Sequence, residues 1–228
     1  MKLTAQDREG ALEALRSVGG ADFSDYRAEL VDRTFGEHYG RSGCANGSAW
    51  VAGLREGGRA LGELGSALSV RVTSFFRDAG GLLDLEQVVI PALLQRVNAA
   101  SPLRAWIIGC ATGEEAWSLA MVLDATCGTL PWEILATDID QSAIVFAERA
   151  VYGDVAGVPP RFAERCLERE GRFFRVRSEL RRRVRFVEHR FMGPQLAPAE
   201  AIVPSFGLVA CRNVLLHFNG RLREKAWD

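Results

Sequence analysis

The run Ile107-Ile108-Gly109-Cys110-Ala111-Thr112-Gly113-Glu114-Glu115-Ala116-Trp117-Ser118-Leu119 limits most tightly what this chain can fold into, because it reads as strand, glycine-bounded turn and helix. Leu103 to Ile108 is a short apolar run with Trp106 and two isoleucines, a composition that suits a buried parallel strand. Gly109 and Gly113 permit a tight turn and close approach of backbone to a ligand. Ala116, Leu119, Ala120 and Leu123 then recur at helical spacing, and Gly128 and Pro131 supply stop signals. A strand that passes to a helix through such a turn forms the ligand crevice of an open α/β sheet.

The chemistry of the turn narrows the ligand. Dinucleotide sites use G-x-G-x-x-G and seat a pyrophosphate on the helix N-terminus. Here the spacing differs, and Glu114 and Glu115 stand where the phosphates would be. Two carboxylates repel a pyrophosphate and attract a cation. S-adenosylmethionine (SAM) carries a sulfonium and an ammonium group and no phosphate, so it meets that condition. Acidic residues in a first helical turn also complement the helix macrodipole whatever the ligand, and the turn alone leaves both readings open.

A second αβ unit follows directly. Trp132 to Thr137 reads as a strand, and Asp138-Ile139-Asp140 ends it. Asp140 is expected to cap a helix whose Ala143, Phe146, Ala147 and Ala150 share a face. Asp138, at the carboxyl end of the second strand, stands where nucleoside-binding folds place an acid on the ribose hydroxyls. Val184 to Val187 is expected as the third core strand, with His189-Arg190-Phe191-Met192 just beyond it. Phe191 or Met192 is placed either to flank an adenine or to pack in the core. Phe206 to Cys211 reads as a further buried strand, and Arg212-Asn213 at its end point into the crevice. Val214, Leu215 and Phe218 lead towards a helix.

The rest of the chain supplies context. Up to about Leu68 it reads as helical, with Ala11, Leu12, Leu15 and Val18 as one amphipathic set and Leu30, Val31, Thr34 and Phe35 as another. Gly36 to Gly47 is polar and glycine-rich and reads as a loop. In Val70 to Asp78, Phe75 and Phe76 are placed to pack inward or against a flat ligand. Arg77 there is a planar donor fork suited to a carboxylate, or a surface partner of Asp78. A helix from Leu82 to Val97 leads into the first strand. Between Tyr152 and Arg183, Pro159-Pro160 break the chain and Phe174-Arg175-Val176-Arg177 alternates like a half-exposed strand, so an antiparallel hairpin subdomain is expected. Arg181-Arg182-Arg183 reads first as a solvated face and second as a dock for an acidic partner.

Composition excludes several classes. With 28 Lys+Arg against 29 Asp+Glu, no net charge favours nucleic acid or an anionic membrane. No apolar run approaches a membrane span, and the first residues lack a signal-peptide core, so the expected location is the cytoplasm. Cys44, Cys110, Cys127, Cys166 and Cys211 show no C-x-x-C spacing and read as free thiols, with no metal expected.

Four motifs in order carry a resemblance: Thr73-Ser74-Phe75-Phe76-Arg77-Asp78, Gly109 to Glu115, Ala136-Thr137-Asp138-Ile139-Asp140 and Cys211-Arg212-Asn213-Val214. Together they resemble the CheR family of chemotaxis-receptor methyltransferases. The resemblance implies an all-helical N-terminal domain and a Rossmann-like α/β sheet that binds SAM and carries a small antiparallel β-subdomain. The expected bounds are 1–85 for the helical domain and linker and 86–228 for the SAM-binding domain, with the β-subdomain inserted at about 153–183. Further strands are expected beyond Asp228. The implied activity is methyl-ester formation on receptor glutamates, with SAM as cofactor and the cytoplasmic domains of chemoreceptors as partners.

By the same resemblance Thr73, Arg77, Glu115, Asp138, Arg212 and Asn213 match positions that contact SAM or lie beside its methyl group, with Arg77 as the catalytic candidate. Arg190 and Phe191 join the cofactor-binding set. The chain departs from the family at Arg71 and Arg190, both usually Asn, and at His217, usually Tyr. Asp32 to Glu37 is not the arginine-rich face that meets receptors in the family. The hairpin around Glu168 to Arg172 is short for the mode that tethers a receptor's C-terminal peptide. These departures motivate the alternative of a SAM-binding regulatory domain without catalysis or with altered specificity.

Overall fold

The computed structural model describes residues 3–19, 23–24, 26–68, 73–98, 101–191, 198, 205–219 and 224. The chain forms two compact units, Met1–Arg71 together with Asn213–Asp228, and Val72–Arg212. Residues 73–84, placed in the linker on sequence, lie in the second unit.

The first unit is helical: α1 (Ala5–Ser17), α2 (Ala28–Ser42), α3 (Gly47–Arg55) and α4 (Arg59–Leu68). Thr4 starts α1 with a reciprocal cap, its hydroxyl accepting from the Asp7 amide while the Asp7 carboxylate accepts from the Thr4 amide. The core gathers Ala11, Leu15, Val31, Phe35, Trp50, Leu54, Leu64 and Leu68, with Phe35 edge-on to Trp50 at 5.7 Å. Gly36 to Gly47 is mostly not the loop expected: α2 runs to Ser42 through Gly36 and Gly40, and Gly43 ends it in the left-handed region. Val31, Thr34, Phe35 and Tyr39 share one buried face, and that burial outweighs the roughly 1 kcal/mol that each helical glycine costs.

The second unit is built on a parallel sheet of β1 (Leu103–Ile108), β2 (Trp132–Asp138), β6 (Val184–Glu188) and β7 (Leu208–Cys211), in the order β6-β2-β1-β7. The strands alternate between two cores. Ala105, Ile107, Ile134 and Ala136 join the main core, whereas Trp106, Ile108 and Leu135 meet Val187, Phe191, Phe206 and Cys211 in a smaller one. Burial on both faces explains the continuous apolar runs of β1 and β2, whereas β7, expected as buried, is an edge strand with Val209 52% exposed. Helix α7 (Glu114–Cys127) follows β1 and is buried along most of its length, from Ala116 to Leu123. Helix α8 (Gln141–Arg149) follows β2 and buries Ala143, Ile144 and Ala147. Its Phe146, expected on that face, is 41% exposed and rests edge-on against Tyr152.

Ahead of β1, α5 (Ala79–Asp84) and α6 (Ile90–Leu94) are joined by one π-helical turn, Leu85–Val89. Pro91 lacks an amide hydrogen and crowds the preceding turn, so the widened turn just before it absorbs the mismatch. The expected hairpin subdomain is a three-stranded antiparallel sheet of β3 (Val151–Tyr152), β4 (Leu167–Glu170) and β5 (Phe173–Val176), ordered β3-β5-β4. Pro159-Pro160 open α9 (Pro160–Cys166) rather than merely breaking the chain, because proline suits a first helical position. Arg181 ends the short α10 (Ser178–Arg181), Arg182 pairs with Glu179, and Arg183 lies over the Trp132 ring at 5.0 Å. After β7, in the first unit, Leu215–His217 forms a 3-10 turn, and Phe218 bridges to Tyr26.

Candidate functional site at the carboxyl edge of the sheet

Register places the site. Ile108 of β1 is level with Thr137 of β2 and with Cys211 of β7, so Gly109, Asp138 and Arg212 emerge side by side. The chain connects β1 to β2 on one side and reaches β7 on the other, so the carboxyl edge of β1 is a topological switch point.

The turn between β1 and α7 is held at every residue. Gly109 and Gly113 take φ of 74° and 93°, and Ala111 between them is left-handed at 46°. A side chain at Gly113 would meet Ala147 Cβ at 2.7 Å and the Tyr152 hydroxyl at 3.0 Å, so glycine is required by space as well as by φ. The Ala111 amide donates to one Asp138 oxygen at 2.8 Å and the Asp140 amide donates to the other at 2.9 Å. Asp138 therefore ties the two loops together. Asp140 caps α8 as expected, accepting from the Ser142 and Ala143 amides.

Glu114 and Glu115 diverge. Glu114 accepts from the Thr112 hydroxyl at 2.7 Å and closes the turn upon itself. Glu115 approaches Arg212, with 3.6 Å between Oε1 and Nη1, while Arg212 Nη2 pairs with Asp78 at 3.1 Å. Burial pushes the Glu115 carboxyl above its usual range, and the guanidinium groups of Arg212 and Arg77 pull the other way without cancelling it. Asp78 thus pairs with Arg212, and it also caps α5 through the Gly81 amide at 3.1 Å.

Arg77 is exposed and follows Phe76, a non-glycine residue at φ 50°. Phe75 and Phe76 both turn inward: Phe75 packs edge-on to Tyr152 at 4.9 Å and Phe76 stacks on Phe162 at 5.1 Å. The Phe76 amide donates to Ser118 Oγ at 3.0 Å, and that hydroxyl donates to the Glu114 carbonyl at 2.6 Å. Strained backbone on both sides of the crevice is a feature of binding sites.

Among the remaining expected residues, Thr73 is half-buried at the start of this segment. Arg190 is half-buried beyond β6, and the Phe191 ring lies edge-on to Trp106 at 6.1 Å in the smaller core. Asn213 is exposed with φ 61° and belongs to the first unit. Arg71 and Met192 lie outside the described residues. The second unit thus brings Arg77, Asp78, Glu115 and Arg212 into one charged group, with Asp138 at the neighbouring strand end. Sequence reasoning missed Asp78, Ser118 and Tyr152 as members of this arrangement. Only a tyrosine three residues after the end of α8 pointed at Tyr152.

The acidic turn, with two positive-φ glycines and a desolvated carboxylate, fits a cationic nucleoside without phosphates. Comparison with known proteins agrees. Residues 71–228 match the family model described as the CheR methyltransferase SAM-binding domain. A chemotaxis protein methyltransferase of Listeria monocytogenes is 31% identical over 176 residues, 74% of this chain and 62% of its own. The Escherichia coli chemotaxis protein methyltransferase is 31% identical over 222 residues, 92% of this chain and 65% of its own. An uncharacterized 104.1 kDa protein of Rhodobacter capsulatus is 30% identical over 221 residues, 94% of this chain but 23% of its own. The chain spans less than two thirds of the length of each of these relatives. Since the matched residues include the turn, the acidic strand end at Asp138 and the arginine that pairs with Glu115, the chain belongs to the CheR methyltransferase family and its cofactor is S-adenosylmethionine.

Proposed function

We propose that this protein is a SAM-dependent protein-glutamate O-methyltransferase that acts on glutamates in the cytoplasmic domains of chemoreceptors. The observation that carries the reading is the charged group beside the switch point, in which the desolvated Glu115 faces Arg212 and feels Arg77. Relatives named as chemotaxis protein methyltransferases support a substrate in chemotaxis signalling. A substrate of that class places the reaction in the cytoplasm.

The chemistry asks little of a general base. A glutamate side chain has an unperturbed pKa of about 4.3 and is already a nucleophile at neutral pH. SAM supplies an activated methyl group, which an in-line displacement moves to the carboxylate oxygen. The protein's contribution is alignment and removal of water from the attacking carboxylate. In this reading Arg77 orients the incoming carboxylate as a two-pronged donor. Glu115 holds the charged methionine end or the ribose side, Asp138 the ribose hydroxyls, and Asn213 polar groups of the cofactor. Thr73, Arg190, Phe191 and Arg212 complete the cofactor side.

The test combines the protein with methyl-labelled SAM and receptor cytoplasmic fragments and follows base-labile label in the fragments. Labelling by the wild type and at least tenfold slower labelling by Arg77→Ala are expected. Absence of label with intact SAM binding would favour a regulatory SAM-binding domain, and full labelling by Arg77→Ala would remove Arg77 from its role.

A further inference from the structure

The peptide between Thr112 and Gly113 is locked at both edges. The Gly113 amide donates to the Cys110 carbonyl at 2.9 Å, inside the turn. The opposite edge, the Thr112 carbonyl, accepts from the Tyr152 hydroxyl at 2.7 Å, across forty positions of sequence. Because a peptide is planar, fixing its N–H and its C=O on opposite sides fixes its orientation. Ala111, one residue earlier, is held by Asp138. Among the described residues, the Tyr152 hydroxyl is the side chain that holds the backbone of the Thr112–Gly113 peptide.

Tyr152 is itself immobilised. It is 4% exposed, with the rings of Phe75 and Phe146 edge-on at 4.9 Å and 5.7 Å. Its backbone pairs with Phe174 in the small antiparallel sheet. Burial, with Glu114 nearby, pushes the phenol well above its ordinary range, so it stays protonated and remains a donor at any working pH. Among the described residues the Trp117 indole N–H, in the first turn of α7, is buried without a hydrogen-bond partner. The hydroxyl thus has its donor role defined by the Thr112 carbonyl.

We propose that Tyr152 is a positioning residue for cofactor binding: its hydroxyl presets the Thr112–Gly113 peptide of the turn on which SAM rests, and the small antiparallel sheet thereby sets cofactor affinity. The inference rests on the SAM assignment and goes beyond it to a residue that need not touch the ligand. Without the hydroxyl the peptide is held at one edge only, and the site must be ordered at the time of binding, which weakens affinity.

The test is Tyr152→Phe, which keeps the ring and removes one oxygen. Calorimetry with S-adenosylhomocysteine is expected to show Kd raised about fivefold to twentyfold, the effect of losing one hydrogen bond's ordering. In turnover the KM for SAM should rise by a similar factor, while the KM for the acceptor and kcat at saturating SAM stay within about twofold of wild type. A merely structural role would lower the melting temperature and leave Kd of the folded protein unchanged, and that result would overturn the proposal. Should the variant fail to accumulate, wild type labelled with 3-fluorotyrosine answers the same question, since the chain has 3 tyrosines. The Tyr152 fluorine resonance, assigned by elimination with Tyr26→Phe and Tyr39→Phe, is expected as one line without a D2O solvent shift before S-adenosylhomocysteine is added, because the phenol is already held. Several lines, or a full solvent shift in the free protein, would overturn the proposal. Wild type that binds no S-adenosylhomocysteine would instead sink the SAM assignment itself.

Discussion

Glu115 is a carboxylate kept partly out of water beside two guanidinium groups, and burial still raises its pKa. The direction has a consequence for pH. Folding favours the protonated form, so this group's contribution to stability is fully present below the unfolded value and is lost as pH rises through the folded one. A ligand ammonium group beside Glu115 reverses the preference, because a nearby cation favours the ionised form. Binding of S-adenosylhomocysteine or SAM should therefore release a proton near the folded pKa, and affinity should rise as pH climbs through that window. Calorimetry in two buffers of different ionisation enthalpy measures the release. Glu115→Gln should abolish it and raise Kd about tenfold to a hundredfold, as expected for loss of a charge-assisted contact. A second residue-scale expectation concerns Gly113, where φ of 93° and the 2.7 Å approach to Ala147 leave no room for a methyl group. Gly113→Ala should destabilise the protein by about 2–4 kcal/mol in a denaturant titration and weaken cofactor binding with it.

Elements owe their positions to short signals at their ends as much as to their buried faces. Asp140 is buried yet satisfied, since its Oδ1 accepts from the Ser142 amide at 2.9 Å and from the Ser142 hydroxyl at 2.7 Å. Asp140→Ala should cost about 1–2 kcal/mol, read as a shift of the denaturant midpoint with unchanged slope. The cap also sets where Asp138 points, because the Asp140 amide donates to it. Helix α2 shows the opposite balance, in which a buried stripe carries a helix through two glycines. The π-helical turn before Pro91 shows a third outcome, in which a local conflict is absorbed without ending the helix.

At the scale of the molecule, the charged group around Glu115 lies within the unit Val72–Arg212, so the cofactor's stabilisation should fall on that unit. A ligand at a hundred times its Kd adds about 2.7 kcal/mol, or roughly 5–10 °C for a chain of this size. Differential scanning calorimetry with S-adenosylhomocysteine should show that shift, and should two transitions resolve, only one should move. NAD at the same concentration should leave both in place, because its pyrophosphate meets Glu114 and Glu115. No helix among the described residues is long and apolar enough to cross a membrane. What the sequence by itself determined were the features written in local runs: the four apolar core strands, the glycine turn with its two acids, the Asp140 cap and the antiparallel hairpin. Their periods and end signals lie within a few neighbouring residues, and so they are legible without a fold. Only the tertiary structure decided that α2 continues past Gly36, that Asp78 pairs with Arg212 rather than with its neighbour Arg77, and that Tyr152 and Ser118 brace the site. Each of these depends on groups far apart in the chain, whose meeting is set by packing and strand register and leaves no mark in the local pattern.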